Sequence, residues 1–131
     1  MRYVKDNVFE PVGMKAITIT DSDNKNIEPH AATVGEMLKM VLNAYVPRPG
    51  QMLNTPAEIR KFNKVMDVLE AGPKEGVYAF QDEQFDLMKR VVYWTLPQAF
   101  IPGNPPQPLW RSAPAIEDIL EKAPESSSLL A

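Results

Sequence analysis

Thr55-Pro56-Ala57-Glu58-Ile59-Arg60-Lys61-Phe62-Asn63-Lys64-Val65-Met66-Asp67-Val68-Leu69-Glu70-Ala71-Gly72-Pro73 reads as a helix with both of its ends written in. The Thr55 hydroxyl can accept from the Glu58 amide. The Glu58 carboxylate can reach back to the Thr55 amide, which makes a capping box. Pro56 stands at the first helical position, where a missing amide costs nothing. Ile59, Phe62, Val65, Met66 and Leu69 fall on one side, while Arg60, Lys61, Lys64 and Asp67 fall elsewhere. Gly72 followed by Pro73 stops the helix, because glycine tolerates the terminal backbone turn and proline cannot continue it.

Upstream, Thr33-Val34-Gly35-Glu36 repeats the opening signal. Met37, Leu38, Val41, Leu42 and Tyr45 follow at helical spacing, and Pro47 and Pro49 close this second helix. Downstream, Asp82 looks like the cap of a third. Phe85, Met88, Val91 and Val92 form its apolar face, Leu87 widens it, and Trp94 marks its end. Between these helices, Val77 to Phe80 is short and β-prone. The first 32 residues read as extended. Met14 to Thr20 predicts a strand, Asp21 to Asn26 a polar turn, and Ile27 a return strand that Pro29 stops, giving a hairpin-like segment.

The last third differs. Six of the chain's 13 prolines lie between Pro97 and Pro114. Proline fixes φ and removes a donor, so this window predicts an extended arm, neither helix nor central strand. Its anchors are Phe100, Ile101, Leu109 and Trp110. A short amphipathic helix ends the arm, with Ile116, Ile119 and Leu120 on one side, before a polar tail from Glu125 to Ser128. The expected fold is mainly α with minor β: a three-helix core, an N-terminal hairpin-like segment, and a Pro-rich C-terminal arm ending in a short helix. The expected division is a helical domain over residues 1–95 and an arm over 96–131.

The chain has 131 residues, 44% hydrophobic and 24% charged, enough for one ordinary core. A formal net charge of −3 argues against a protein whose main task is coating a phosphate backbone. The absence of cysteine excludes disulfides, thiolate catalysis and cysteine zinc sites. No apolar run approaches the ~18 residues of a membrane helix, and the first residues lack a signal-peptide pattern. A soluble, intracellular protein, or part of an assembly made inside a cell, is the expectation, with no membrane partner.

Individual sites carry little chemistry. A calcium loop beginning at Asp21 would place Lys25, Asn26 and Ala32 where an oxygen ligand, a glycine and a glutamate belong. His30, the single histidine, stands beside Pro29 as an exposed loop or packing residue, not a metal ligand or catalytic base. Asp82, Glu83 and Asp86, like Glu117 and Asp118, read as complements to helix dipoles before they read as acid–base pairs. Arg60, Lys61 and Lys64, with Lys89 and Arg90 on the next helix, form a candidate nucleic-acid face. The eight basic residues of 33–95 are matched there by eight acidic ones. No cofactor or metal is implied, and no catalytic residue is assigned. The candidate partner-binding residues are Leu109, Trp110, Ile116, Ile119 and Leu120, since large apolar side chains are enriched at interface hot spots. An extended arm of ~16 residues at ~3.1 Å each would reach either its own domain or a neighbour.

The order of these segments resembles small uncharacterised helical proteins of tailed bacteriophages. The resemblance rests on Thr33-Val34-Gly35-Glu36-Met37-Leu38, on Glu58 to Leu69 and on Phe80 to Lys89, and it covers about residues 14–95. The connector from Pro47 to Thr55 and the Pro-rich arm depart from it. It implies a phage accessory or assembly protein, located in the host cytoplasm or the virion, and transfers no active residue. The leading expectation is therefore a non-enzymatic interaction protein that binds a protein partner or its own copies through its C-terminal arm. A nucleic-acid-associated regulator and a minor virion component are the alternatives.

Overall fold

A computed structural model describes residues 1–10, 18–19, 30–46, 53, 55–101 and 107–125. It is mainly α with minor β. The elements in chain order are β1 (Arg2–Lys5), β2 (Thr18–Ile19), β3 (His30–Ala31), α1 (Val34–Asn43), α2 (Pro56–Ala71), β4 (Val77–Phe80), α3 (Asp82–Thr95), β5 (Phe100–Ile101), β6 (Gln107–Pro108) and α4 (Ala113–Glu121). Single 3₁₀ turns at Leu96–Gln98 and Leu109–Ser112 flank the β5–β6 pair. The turn expected at Asp21–Asn26, the stops at Pro47 and Pro49, and the polar tail beyond Glu125 lie outside the described residues. So do most of the strand expected over Met14–Thr20 and the return strand expected at Ile27.

α1 begins as its sequence dictates. The Glu36 amide donates to Thr33 Oγ1 at 3.4 Å and Glu36 Oε1 accepts from the Thr33 amide at 3.1 Å, a reciprocal capping box. Met37, Leu38, Val41, Leu42 and Tyr45 are all buried. α2 forms half of its box: Thr55 Oγ1 accepts from the Glu58 amide at 3.2 Å. The Glu58 carboxylate turns instead toward Arg90, 3.8 Å away. Val65 and Leu69 are buried and Phe62 and Met66 pack against the core, but Ile59, in the helix's first turn, is exposed. Gly72 ends α2 at φ +85°, a backbone that favours glycine. α3 begins one residue earlier than expected, with Gln81 at the cap and Asp82 inside the first turn.

Among the described residues, three short antiparallel pairs complete the fold: β1 with β4, β2 with β3, and β5 with β6. In the first, Arg2 faces Phe80 and Lys5 faces Val77. β1 was read only as part of an extended leader, and its pairing with β4 joins segments more than seventy residues apart. β2 pairs with β3 at His30–Ala31, beyond the Pro29 that was expected to stop the return strand.

Within its described residues the arm folds back onto the core. Phe100 faces Pro108 across the β5–β6 pair, and the Leu109 amide donates to the Ala99 carbonyl at 3.0 Å. The chain therefore doubles back. The described prolines fit because they occupy tolerated places. Pro97 lies at the start of a 3₁₀ turn, Pro108 on a two-stranded edge, and Pro114 in the first turn of α4. Leu96, Ala99, Leu109, Ile116, Leu120 and Ala123 join the same core as Leu38, Val65, Phe85 and Val91, so the core runs across the expected 95/96 division.

Candidate functional site

The candidate partner-binding residues separate into two sets. Leu109, Ile116 and Leu120 are fully buried among the chain's own helices. Burial of such a side chain contributes about 1.5–3 kcal/mol to folding, and that surface is spent on the core. Trp110, beside Leu109 in the 3₁₀ turn, points the other way and is 53% exposed. The tight turn splits the pair: neighbouring side chains on a short helix lie on different faces. The Arg111 guanidinium stacks over the Trp110 ring, 5.4 Å from its centroid, a cation–π arrangement. Ile119 is half-buried, on the side of α4 that faces the N-terminal segment.

Two further exposed aromatics stand on segments that adjoin the one carrying Trp110. Trp94 closes the last turn of α3 at 41% exposure, and Phe100 in β5 is 58% exposed. The 3₁₀ turn after Trp94 packs against the one carrying Trp110, and Phe100 faces Pro108, two residues before Trp110. All three rings are thus carried by adjoining segments: the end of α3, the β5–β6 pair and the two tight turns.

The candidate nucleic-acid face is balanced by acids. Lys61 lies 3.4 Å from Glu83, and the neighbouring Arg90 and Lys89 pair with Glu58 and Glu121. Arg60, Lys61 and Lys64 line a cleft of about 480 Å³ whose other wall is Gln81 to Gln84. That wall brings Asp82 and Glu83 into the same space. The Met1 amino group sits 2.7 Å from Asp82 Oδ1. Its hydrogen bond holds the Asp82 carboxyl below the usual carboxylate range. A phosphate entering this cleft would meet carboxylates as well as cations.

Helix starts offer no spare anion site at α1. The Val34 amide donates to the Asn7 carbonyl, the Gly35 amide to Asp6 Oδ1 at 2.9 Å, and the Glu36 amide to Thr33. Each orphan donor of the first turn is used within the chain. Among the described residues no group of three or more histidine, aspartate or glutamate side chains gathers as a metal site. None of their helices is long and apolar enough to cross a membrane.

α4 is fastened to α3 by a polar bracket. The Tyr93 hydroxyl donates to Glu121 Oε1 at 2.7 Å, and Lys89 Nζ donates to the same oxygen at 3.2 Å. These two donors keep the Glu121 carboxyl below its ordinary range. Burial, reinforced by the bond to Glu121, pushes the Tyr93 phenol upward.

A groove of about 390 Å³ lies on the opposite flank of α4, between it and residues 3–10. Its lining, mostly apolar, includes Val4, Val8, Phe9 and Ile119, with Lys5 and Lys122 among its charged residues. The sequence pointed to Ile119 but not to the groove. The groove depends on a strand pairing that no local pattern announces. No family model, curated protein sequence or solved structure matches this chain.

Proposed function

We propose that this protein is a non-catalytic interaction protein that docks another protein surface through the aromatic end formed by Trp94, Phe100 and Trp110. One observation carries the reading. A segment that commits Leu109, Ile116 and Leu120 to the core leaves its largest side chain, Trp110, 53% exposed. Exposed tryptophan and phenylalanine on a short, internally braced segment lose little rotamer freedom on docking and offer large apolar area. Clustered apolar exposure of this kind marks interaction sites. The occupant that the reading takes first is a second copy of the chain. The phage setting, as accessory factor or virion component, rests on the resemblance over residues 14–95.

Solution mass and tryptophan emission test this directly. The wild-type chain should self-associate as concentration rises through the micromolar range, with a blue shift of tryptophan emission. Trp110→Ala combined with Phe100→Ser should abolish both while leaving the thermal transition nearly unchanged. A wild-type chain that stays monomeric with constant emission to millimolar concentration would defeat the self-docking form. A foreign partner would then have to be captured by wild type and lost with the double variant for docking at this end to survive.

A further inference from the structure

We propose that the outer face of α2 is a self-contact: two copies of the chain pack their α2 helices antiparallel, so that Arg60 and Lys64 of each meet Asp67 and Glu70 of the other. The proposal does not depend on the reading of the aromatic end.

The face is what α2 leaves once its core side is filled. Val65 and Leu69 are buried, while Arg60, Asn63, Lys64, Asp67 and Glu70 are exposed. These positions recur at three- and four-residue steps and form one stripe on the side away from the core. Along the stripe the charges are segregated. Arg60 and Lys64 occupy the N-terminal half, Asp67 and Glu70 the C-terminal half. That order is unfavourable for a lone helix. Arg60 and Lys64 are like charges four residues apart, and Asp67 and Glu70 are like charges three apart. Glu70 lies in the last turn, at the negative end of the helix dipole, where no basic residue joins it.

The rest of the chain does not relieve the arrangement. Lys61, Lys89 and Arg90 pair with Glu83, Glu121 and Glu58. Among the described residues, none of Arg60, Lys64, Asp67 and Glu70 enters an ion pair. Arg60 and Lys64 border the cleft beside the start of α3, yet the carboxylates there are engaged, Asp82 by the Met1 amino group and Glu83 by Lys61.

An order that burdens one helix suits two. A helix basic in one half and acidic in the other is its own complement when the copy runs antiparallel. With the two-fold axis beside Asn63, Arg60 lies opposite the copy's Asp67, and the helix dipoles oppose as well. A parallel pair would set like charges together. Apolar area comes from exposed Ile59 and half-buried Met66, which share a flank of the stripe with Asn63 and Glu70. The contact thereby gives Ile59 a partner that the core does not. The 16 residues of α2 span about 24 Å, a small interface, and exposed ion pairs are individually weak. Such pairing belongs to the millimolar range, above the micromolar range in which the aromatic end is tested. Millimolar is also the effective concentration of copies already held together by another contact, so α2 sets register within an assembly and does not start one.

The test uses the full chain with Trp110→Ala and Phe100→Ser throughout, so that only α2 can report. In ¹⁵N spectra of this parent, amide shifts on the outer face of α2 should grow as concentration rises from micromolar to millimolar. Molar salt should weaken the pairing at least threefold. Arg60→Glu with Lys64→Glu should abolish the shifts, and so should Asp67→Lys with Glu70→Lys, the thermal transition being retained in both. An equimolar mixture of these two variants should pair at least tenfold more tightly than the parent, because every stripe charge on one helix then meets its opposite. The chain has no cysteine, so Ala57→Cys can carry a single spin label. It should broaden the Glu70 and Ala71 amides of unlabelled copies and spare those near Ala57. A parent with no shift on α2 at millimolar concentration would overturn the proposal. So would broadening centred on Ala57 of the copy, self-association kept by either reversed variant, or a mixture that pairs no better than its components. None of these outcomes touches the aromatic end, which is removed from every sample.

Discussion

At the scale of single residues, the sharpest constraint is Gly35. A Cβ there would collide with the ring and hydroxyl of Tyr78, so the buried Tyr78 ring can keep its place against the first turn of α1 only with glycine present. Gly35→Ala should cost about 1–3 kcal/mol, the usual range for overpacking, read as a lower urea midpoint with an unchanged slope. Tyr78 has its own signature. Burial first, then Asp6 and Glu36, push its phenol up to about 12. Because the folded value lies above the ordinary 10, this contribution is fully present below pH 10 and is lost as pH rises toward 12. Tyr78→Phe should flatten that alkaline loss in a pH series of chemical denaturation, leaving the shares of the other buried tyrosines. Glu75 offers the opposite case. It holds φ +54° beside Gly76 at +79°, in the two-residue turn closed by the paired Lys74 and Val77 bonds. Both central positions of such a turn need positive φ. Asparagine tolerates that region better than glutamate, and Glu75→Asn should stabilise the protein by about 0.5–1 kcal/mol, seen as a higher melting temperature.

At the scale of elements, what the sequence disclosed depends on how local each signal is. α1 and α2 were legible because a cap, an apolar stripe and a stop all fall within one segment. α3 was legible in its stripe but not in its cap. Asp82 carries the right side chain, yet the Met1 amino group engages it and Gln81 takes the position. The arm's destination was open in the sequence because its prolines exclude helix interiors and central strands while permitting first turns and edges. Only the β5–β6 pairing and the Ala99–Leu109 bond decide between a reach and a fold-back. The same ambiguity merged two kinds of candidate residue. Leu109 and Trp110 are adjacent and both large and apolar, and only the turn at that point sends one inward and the other outward. The bracket on α4 makes a prediction at this level. Glu121 titrates below its ordinary range because Tyr93 and then Lys89 bond it. Its contribution is therefore present above the ordinary carboxylate pKa and is lost as pH falls through the lowered folded value. Glu121→Gln should weaken the acid dependence of stability near pH 4, and Tyr93→Phe should move the Glu121 titration upward by NMR.

At the scale of the whole molecule, the core decides what can be removed. A chain ending at Leu96 lacks Leu109, Ile116, Leu120 and Ala123, all of which are buried in the common core. Losing a large buried aliphatic side chain costs about 2–5 kcal/mol, and a typical domain holds only about 5–15 kcal/mol in total. The shortened chain should show no cooperative thermal transition by circular dichroism, whereas Trp110→Ala in the full chain should leave that transition nearly in place. One feature reaches further. β1 takes its ladder from β4 and an edge bond from Pro124, so it is paired by segments made more than seventy residues after it. During synthesis it must wait with its amides in water while α1 and α2 emerge. Its pairing is complete only once Pro124 has left the ribosome.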